Sequence, residues 1–210
     1  ELILFPMNLE ELRTIPKVEL HRHLECSIRR ATLLELAQTF YQRKYTNEDL
    51  AKDFLILDPM KDLESVLGKF LRTQKIINSP EVLSRITFEA NEDAVAEGIK
   101  ILELRWAPTF IAEGHKELNF EKIITSIRKG QEMAKHLPIA TGHIAIVQRT
   151  RPLEEAEKVI DFAIENKDFF VWSKTPVKSG DMTFITGHPG KTSRLLTVAQ
   201  LNLLRDQEIM

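Results

Sequence analysis

The order of apolar segments predicts an α/β fold in which helices wrap a parallel sheet. Three observations lead there. Ile99 to Trp106, Ile139 to Val147 and Phe169 to Trp172 are short apolar runs of the kind buried on both faces. Helical segments with one apolar face precede or separate them. Recognisable start and stop residues mark several of the helix ends.

The elements follow in order. Asn8 to Thr14 reads as a short helix capped by Asn8 and ended by Pro16. Lys17 to Leu20 reads as a strand, because Val18 and Leu20 alternate with Lys17 and Glu19. Ala31 to Phe40 places Leu33, Leu34, Leu36, Ala37 and Phe40 on one helical face. Lys61 to Ile77 does the same with Leu63, Val66, Leu67, Phe70 and Leu71. Ser79-Pro80-Glu81 is a strong helix start: the serine caps, proline fits the first position, and glutamate meets the positive dipole end. That helix runs to Glu97 and stops at Gly98. Phe120 to His136 and Pro152 to Asn166 are the next two helices. After Ser173 the texture changes. Met182 to Ile185 reads as a strand, 186–193 as a loop and Arg194 to Arg205 as a leucine-rich helix. A (β/α)8 barrel and a doubly wound sheet both satisfy this order, and periodicity does not choose between them.

The chain has 210 residues, enough for one substantial core. Apolar residues make up 43% and charged residues 29%, as in ordinary globular domains. A net charge of −2 gives no electrostatic case for nucleic acid or an anionic membrane surface. No apolar run reaches the roughly 20 residues of a membrane span. A single cysteine, Cys26, excludes an intramolecular disulfide framework. These features fit a cytoplasmic protein. The chain begins at Glu1, and Met7 is a plausible native start.

His21 and His23 stand two apart at the end of the first predicted strand. Residues i and i+2 of a strand face the same way, so two imidazoles converge on one point. That arrangement suits two first-row metal bonds of about 2.0–2.1 Å. Two partly exposed histidines with no ligand would share the same spacing. Glu25 follows near the same mouth, placed to bind a polar substrate group.

The context extends well beyond the pair. Ile15-Pro16-Lys17-Val18-Glu19-Leu20-His21-Arg22-His23-Leu24-Glu25-Cys26-Ser27-Ile28-Arg29 resembles the opening signature of the adenosine deaminase family. That signature reads Pro-Lys-x-Glu-Leu-His-x-His-Leu-Asp/Glu-Gly-Ser, and Cys26 replaces its glycine. Leu102-Glu103-Leu104-Arg105-Trp106-Ala107-Pro108 resembles the family's Glu-x-Arg-Tyr-Ser-Pro segment, with Trp106 and Ala107 substituted. Val66-Leu67-Gly68-Lys69-Phe70 resembles its helical lid. The resemblance covers residues 10 to 172.

The resemblance implies a (β/α)8 barrel of which this chain holds the first half, and one bound zinc ion. It implies His21 and His23 as metal ligands. It places His23 and Glu25 near the ribose of a purine nucleoside, and makes Leu63, Val66, Leu67 and Phe70 an apolar lid. The implied reaction is hydrolytic deamination of adenosine to inosine and ammonia, a step of purine salvage. Adenosine is preferred over adenine, and over adenosine monophosphate because no long N-terminal extension precedes the motif.

The family's remaining machinery has no match here. It comprises a His-Ala-Gly-Glu stretch bearing a third histidine and the acid–base glutamate, a Gly-His-Gly segment and an Asp-Asp pair. His115 and His136 lie in polar settings, His143 lies in a strand with no glutamate at the right spacing, and the flanks of His188 do not match. The catalytic acid–base residue therefore has no assignment, and the chain alone is expected to be a truncated, inactive form. Two other functions remain open. One is a structural fragment without catalysis. The other is a nucleotide binder through residues 186–193, whose Thr186 to Ser193 loop imitates a phosphate-binding loop except that Ile185 occupies the first glycine position. The domain division expected is 1–172 for the barrel part and 173–210 for a divergent tail.

Overall fold

The computed structural model describes residues 8–148 and 151–165. Within them the fold is mixed α/β. Three parallel strands, β1 (Lys17–His23), β2 (Ile99–Trp106) and β3 (Ala140–Ala145), form one sheet in the order β1-β2-β3. Eight helices accompany them: α1 (Leu9–Thr14), α2 (Arg30–Tyr41), α3 (Asn47–Asp53), α4 (Leu63–Ile76), α5 (Pro80–Ala96), α6 (Pro108–Ala112), α7 (Phe120–Met133) and α8 (Leu153–Glu165). A 3-10 turn, Leu24–Cys26, follows β1 directly. The expected elements at 169–172, 182–185 and 194–205, and the loop at 186–193, lie outside the described residues.

The capping chemistry behaves as the sequence dictates. Asn8 and Thr46 each form a reciprocal box with the residue three positions on, Glu11 and Asp49. Ser79 accepts from the Val82 amide, and Pro80 opens α5. Gly98 ends that helix at φ +81, where a Cβ would lie 2.1 Å from the Arg13 carbonyl oxygen. Only glycine fits there. Its carbonyl accepts from the Lys17 amide at 3.0 Å and so starts the β1–β2 pairing.

Two differences from the sequence expectation matter for the site. β1 runs on through His23 rather than stopping at Leu20. Its pairing with β2 also shifts register between Glu19 and Arg22, while the β2–β3 pairing is regular throughout. α3 was not expected; its single buried apolar residue, Leu50, gives too little periodicity to announce a helix.

The main core lies between the sheet and α5 and α7. Leu102, Leu104 and Trp106 of β2 point into it, with Leu83, Ile86, Ile123 and Ile127 from the helices. Asn91 of α5 accepts from Thr141 of β3, and Gly130 lets α7 come close to α5. A second core joins α2, α3 and α4 through Leu33, Ala37, Tyr45, Leu50, Phe54 and Ile76. The other face of β2 carries Ile101, Glu103 and Arg105. Register places His23 beside Arg105 on that face. No described helix is long and apolar enough to cross a membrane.

Candidate metal and nucleoside site

His21 and His23 project from the C-terminal end of β1, with ring centroids 5.2 Å apart and planes inclined by 51°. Positions i and i+2 of a regular strand are about 6.6 Å apart along the axis, so the rings lean together. Both are half-buried. Burial first, then the charges of His21 and Arg105, hold the His23 pKa below its ordinary value. That favours the neutral imidazole, the form that ligates metals. Among the described residues no group of three or more His, Cys, Asp or Glu side chains gathers into a metal cage. Two imidazoles at this separation are suited to supply two ligands to a metal ion, short of the three or four protein ligands of a closed site.

Phe70 of α4 meets the His23 ring edge-on, with centroids 6.2 Å apart. Behind it lies a cavity of about 250 Å³ whose wall includes Glu25, Phe54, Val66, Lys69, Phe70 and Thr73. Glu25 sits in the turn after β1 and is 1% exposed. Its Oε1 accepts from the Ala107 amide at 2.8 Å, and its buried Oε2 has no partner among the described residues. Burial raises its pKa to about 7 against the opposing effect of the Ala107 hydrogen bond.

Of the expected lid residues, Val66 and Phe70 line this cavity. Leu67 does not: it points outward and is 49% exposed. Leu63 opens α4 behind the Asp62 cap. Lys69 and Thr73, which the apolar pattern did not single out, line the cavity as well. The Lys69 ammonium donates to the carbonyls of Ala51 and Leu55 and so ties α4 to the end of α3. Gln74 donates to the carbonyls of Phe110 and Glu113, each at 2.8 Å, and ties the other end of α4 to α6.

The other histidines lie apart from the pair. His143 stands opposite Leu104 in the register, on the helix-facing side of the sheet. His115 is half-buried. Its ring nitrogens lie 2.8 Å from the Ile111 carbonyl oxygen and 3.2 Å from that of Lys75, bridging α6 to α4. His136 is exposed, and His188 lies outside the described residues.

The adenosine deaminase family model matches residues 16–173. The chain belongs to the adenosine deaminase family. An adenosine deaminase of Clostridium botulinum is 35% identical over 142 residues, which are 67% of this chain and 41% of that protein. One from Vibrio atlanticus is 32% identical over 149 residues, 70% of this chain and 44% of that protein. The chain thus spans less than half the length of these deaminase relatives. Among solved structures, the ADAL–IMP complex superposes with a TM-score of 0.65 at 25% identity, covering 77% of this chain and 49% of that one. An amidohydrolase of Burkholderia ambifaria, solved with bound zinc, shares the fold with a TM-score of 0.66 at 24% identity, over 79% and 45% of the two chains. The chain is therefore α/β of the (β/α)8 type and corresponds to about half of such a barrel. A second family model, that of peptidase S46, matches residues 163–209.

Proposed function

We propose that residues 16–165 supply the first half of a zinc-dependent purine deaminase site whose substrate is adenosine. The observation that carries this is the convergence of the His21 and His23 rings, with His23 meeting Phe70, a residue of the cavity wall that also includes Glu25. His21 and His23 would hold one zinc ion as neutral imidazoles. When bound, zinc supplies Lewis-acid activation of water for replacing the purine 6-amino group, with ammonia as the second product.

The chain's own residues do the rest of what can be assigned. Val66 and Phe70 offer an apolar wall to the base and exclude water from it. Glu25 Oε2 is a buried acceptor available to a ribose hydroxyl. No residue of this set is assigned the acid–base role.

Charge supports a nucleoside over a nucleotide. The Glu25 carboxyl beside the proposed ribose site is an acceptor and offers no cation to a 5′-phosphate. The one lysine lining the cavity already donates to two backbone carbonyls. The nucleotide alternative rests on the relatives, since solved ADAL complexes hold IMP and GMP. The two family models meet between residues 163 and 173, which supports a boundary near 172 between the deaminase part and the tail.

The test is metal analysis of the purified chain together with ultraviolet monitoring of adenosine, AMP and N6-methyl-AMP. Zinc retained by the wild type and lost in His21→Ala supports the metal pair. Turnover or binding of adenosine over both nucleotides supports the nucleoside. A chain whose zinc content is indifferent to His21→Ala overturns the proposal.

A further inference from the structure

The register of β1 breaks between Glu19 and Arg22, where the strand carries Leu20 and His21. A break of this kind removes backbone groups from the β ladder, and buried ones must find other partners. Two side chains bond the backbone at this break. The Arg105 guanidinium donates through Nη2 to the Leu20 carbonyl at 3.0 Å. The Glu19 carboxylate accepts from the His21 amide at 3.2 Å through Oε1. The two bonds fall on either side of a single peptide unit, the one joining Leu20 to His21. Arg105 arrives from the neighbouring strand, where it pairs with His23.

We infer that Arg105 and Glu19 form a staple that fixes the irregular segment of β1 and thereby sets the approach of the His21 and His23 rings. They are positioning residues for the metal pair, and this inference rests on the metal site proposed above. In a regular ladder, strand hydrogen bonds would fix the Leu20–His21 peptide plane. At this break the two side chains hold the plane from both of its polar atoms. That plane sets the direction of the His21 Cα–Cβ bond, and with it the ring separation of 5.2 Å. The Arg105 bond also crosses from β2, so the metal pair is referenced to the sheet rather than to β1 alone.

The test is zinc affinity of the full chain, measured by competition with a chromogenic chelator, with the Co2+ visible spectrum as a second readout of ligand geometry. Arg105→Met and Glu19→Ala should each weaken zinc by about tenfold or more, the range found when groups that orient metal ligands are removed. Both should also shift the Co2+ bands. Arg105→Lys, which restores one donor, and Glu19→Gln, which keeps an acceptor, should recover most of the affinity. Glu19 is partly exposed, so its substitution disturbs packing less and its arm remains informative if Arg105→Met unfolds, as circular dichroism would report. Wild-type affinity and spectra in Glu19→Ala and in any folded Arg105→Met, alongside lost affinity in His21→Ala, would overturn the staple alone. Zinc binding indifferent to His21→Ala would overturn the metal site and the staple together.

Discussion

The amide of Ala107 donates to the carboxylate of Glu25 at 2.8 Å, joining the end of β2 to the turn after β1 across 82 positions of sequence. Both residues are buried, so the bond has no solvent competitor. Glu25→Ala should therefore leave a buried amide without a partner and lower stability by about 1–3 kcal/mol. Glu25→Gln keeps an oxygen acceptor and should lose less. Urea denaturation of the two variants checks the order; equal losses would mean that the hydrogen bond contributes nothing specific.

Glu89 on α5 is buried and accepts from Thr32 of α2 at 2.7 Å and from Arg85 Nε at 2.9 Å. Arg85 also reaches Glu35 of α2 at 2.8 Å. Arg85→Met should strip the buried carboxylate of its cation and lower stability by about 1.5–3 kcal/mol. Glu35→Gln, at the exposed end of the same network, should change it by less than about 1 kcal/mol. Thermal denaturation of both variants at one salt concentration measures the difference.

Gly130 sits in α7 where a Cβ would meet the Ser84 carbonyl oxygen at 2.4 Å and Thr87 Cβ at 2.7 Å. Alanine favours helices, so propensity alone predicts a gain for Gly130→Ala. Overpacking should win, because the first neighbour is backbone, and the variant should lose about 1–3 kcal/mol. A rise in melting temperature would show that α5 and α7 can slide apart at little cost.

Cys26 is an exposed residue, yet protein packed about its sulfur and the charge of Glu25 push the thiol up to about 12. A raised pKa leaves less thiolate, so reactivity appears only as pH climbs toward that value. At pH 8 the thiol is held almost wholly protonated, and thiolate is the nucleophile. Iodoacetamide labelling of the native chain, followed by mass spectrometry, should be far slower than labelling in urea. Equal rates would contradict it.

Much of the scaffold was legible because local rules decide it. Ser79 and Pro80 start α5, Gly98 ends it, and the alternation of β1 puts His21 and His23 on one side. The helix over 63–76 was legible too, and Val66 and Phe70 of it line the cavity. What escaped notice depends on long-range packing. Nothing in the spacing of Lys69 says that it holds the Ala51 and Leu55 carbonyls, nor that Leu67 turns outward. The bridging role of His115 needs α4 and α6 side by side. At the register break in β1 the Leu20 carbonyl accepts from Arg105, a residue of another strand that no local pattern brings there.

Parallel pairing has a kinetic side. Lys17 joins Ile99, whereas Ile101 joins Ala140, so β1 must close about twice the length of chain that β3 does. Distant closure is entropically dearer and slows assembly. β2, β3 and the helices between them can condense as an early nucleus, with β1 docking onto it afterwards. The strand that bears both imidazoles is then the latecomer, so the proposed metal pair would be assembled only once the sheet is finished.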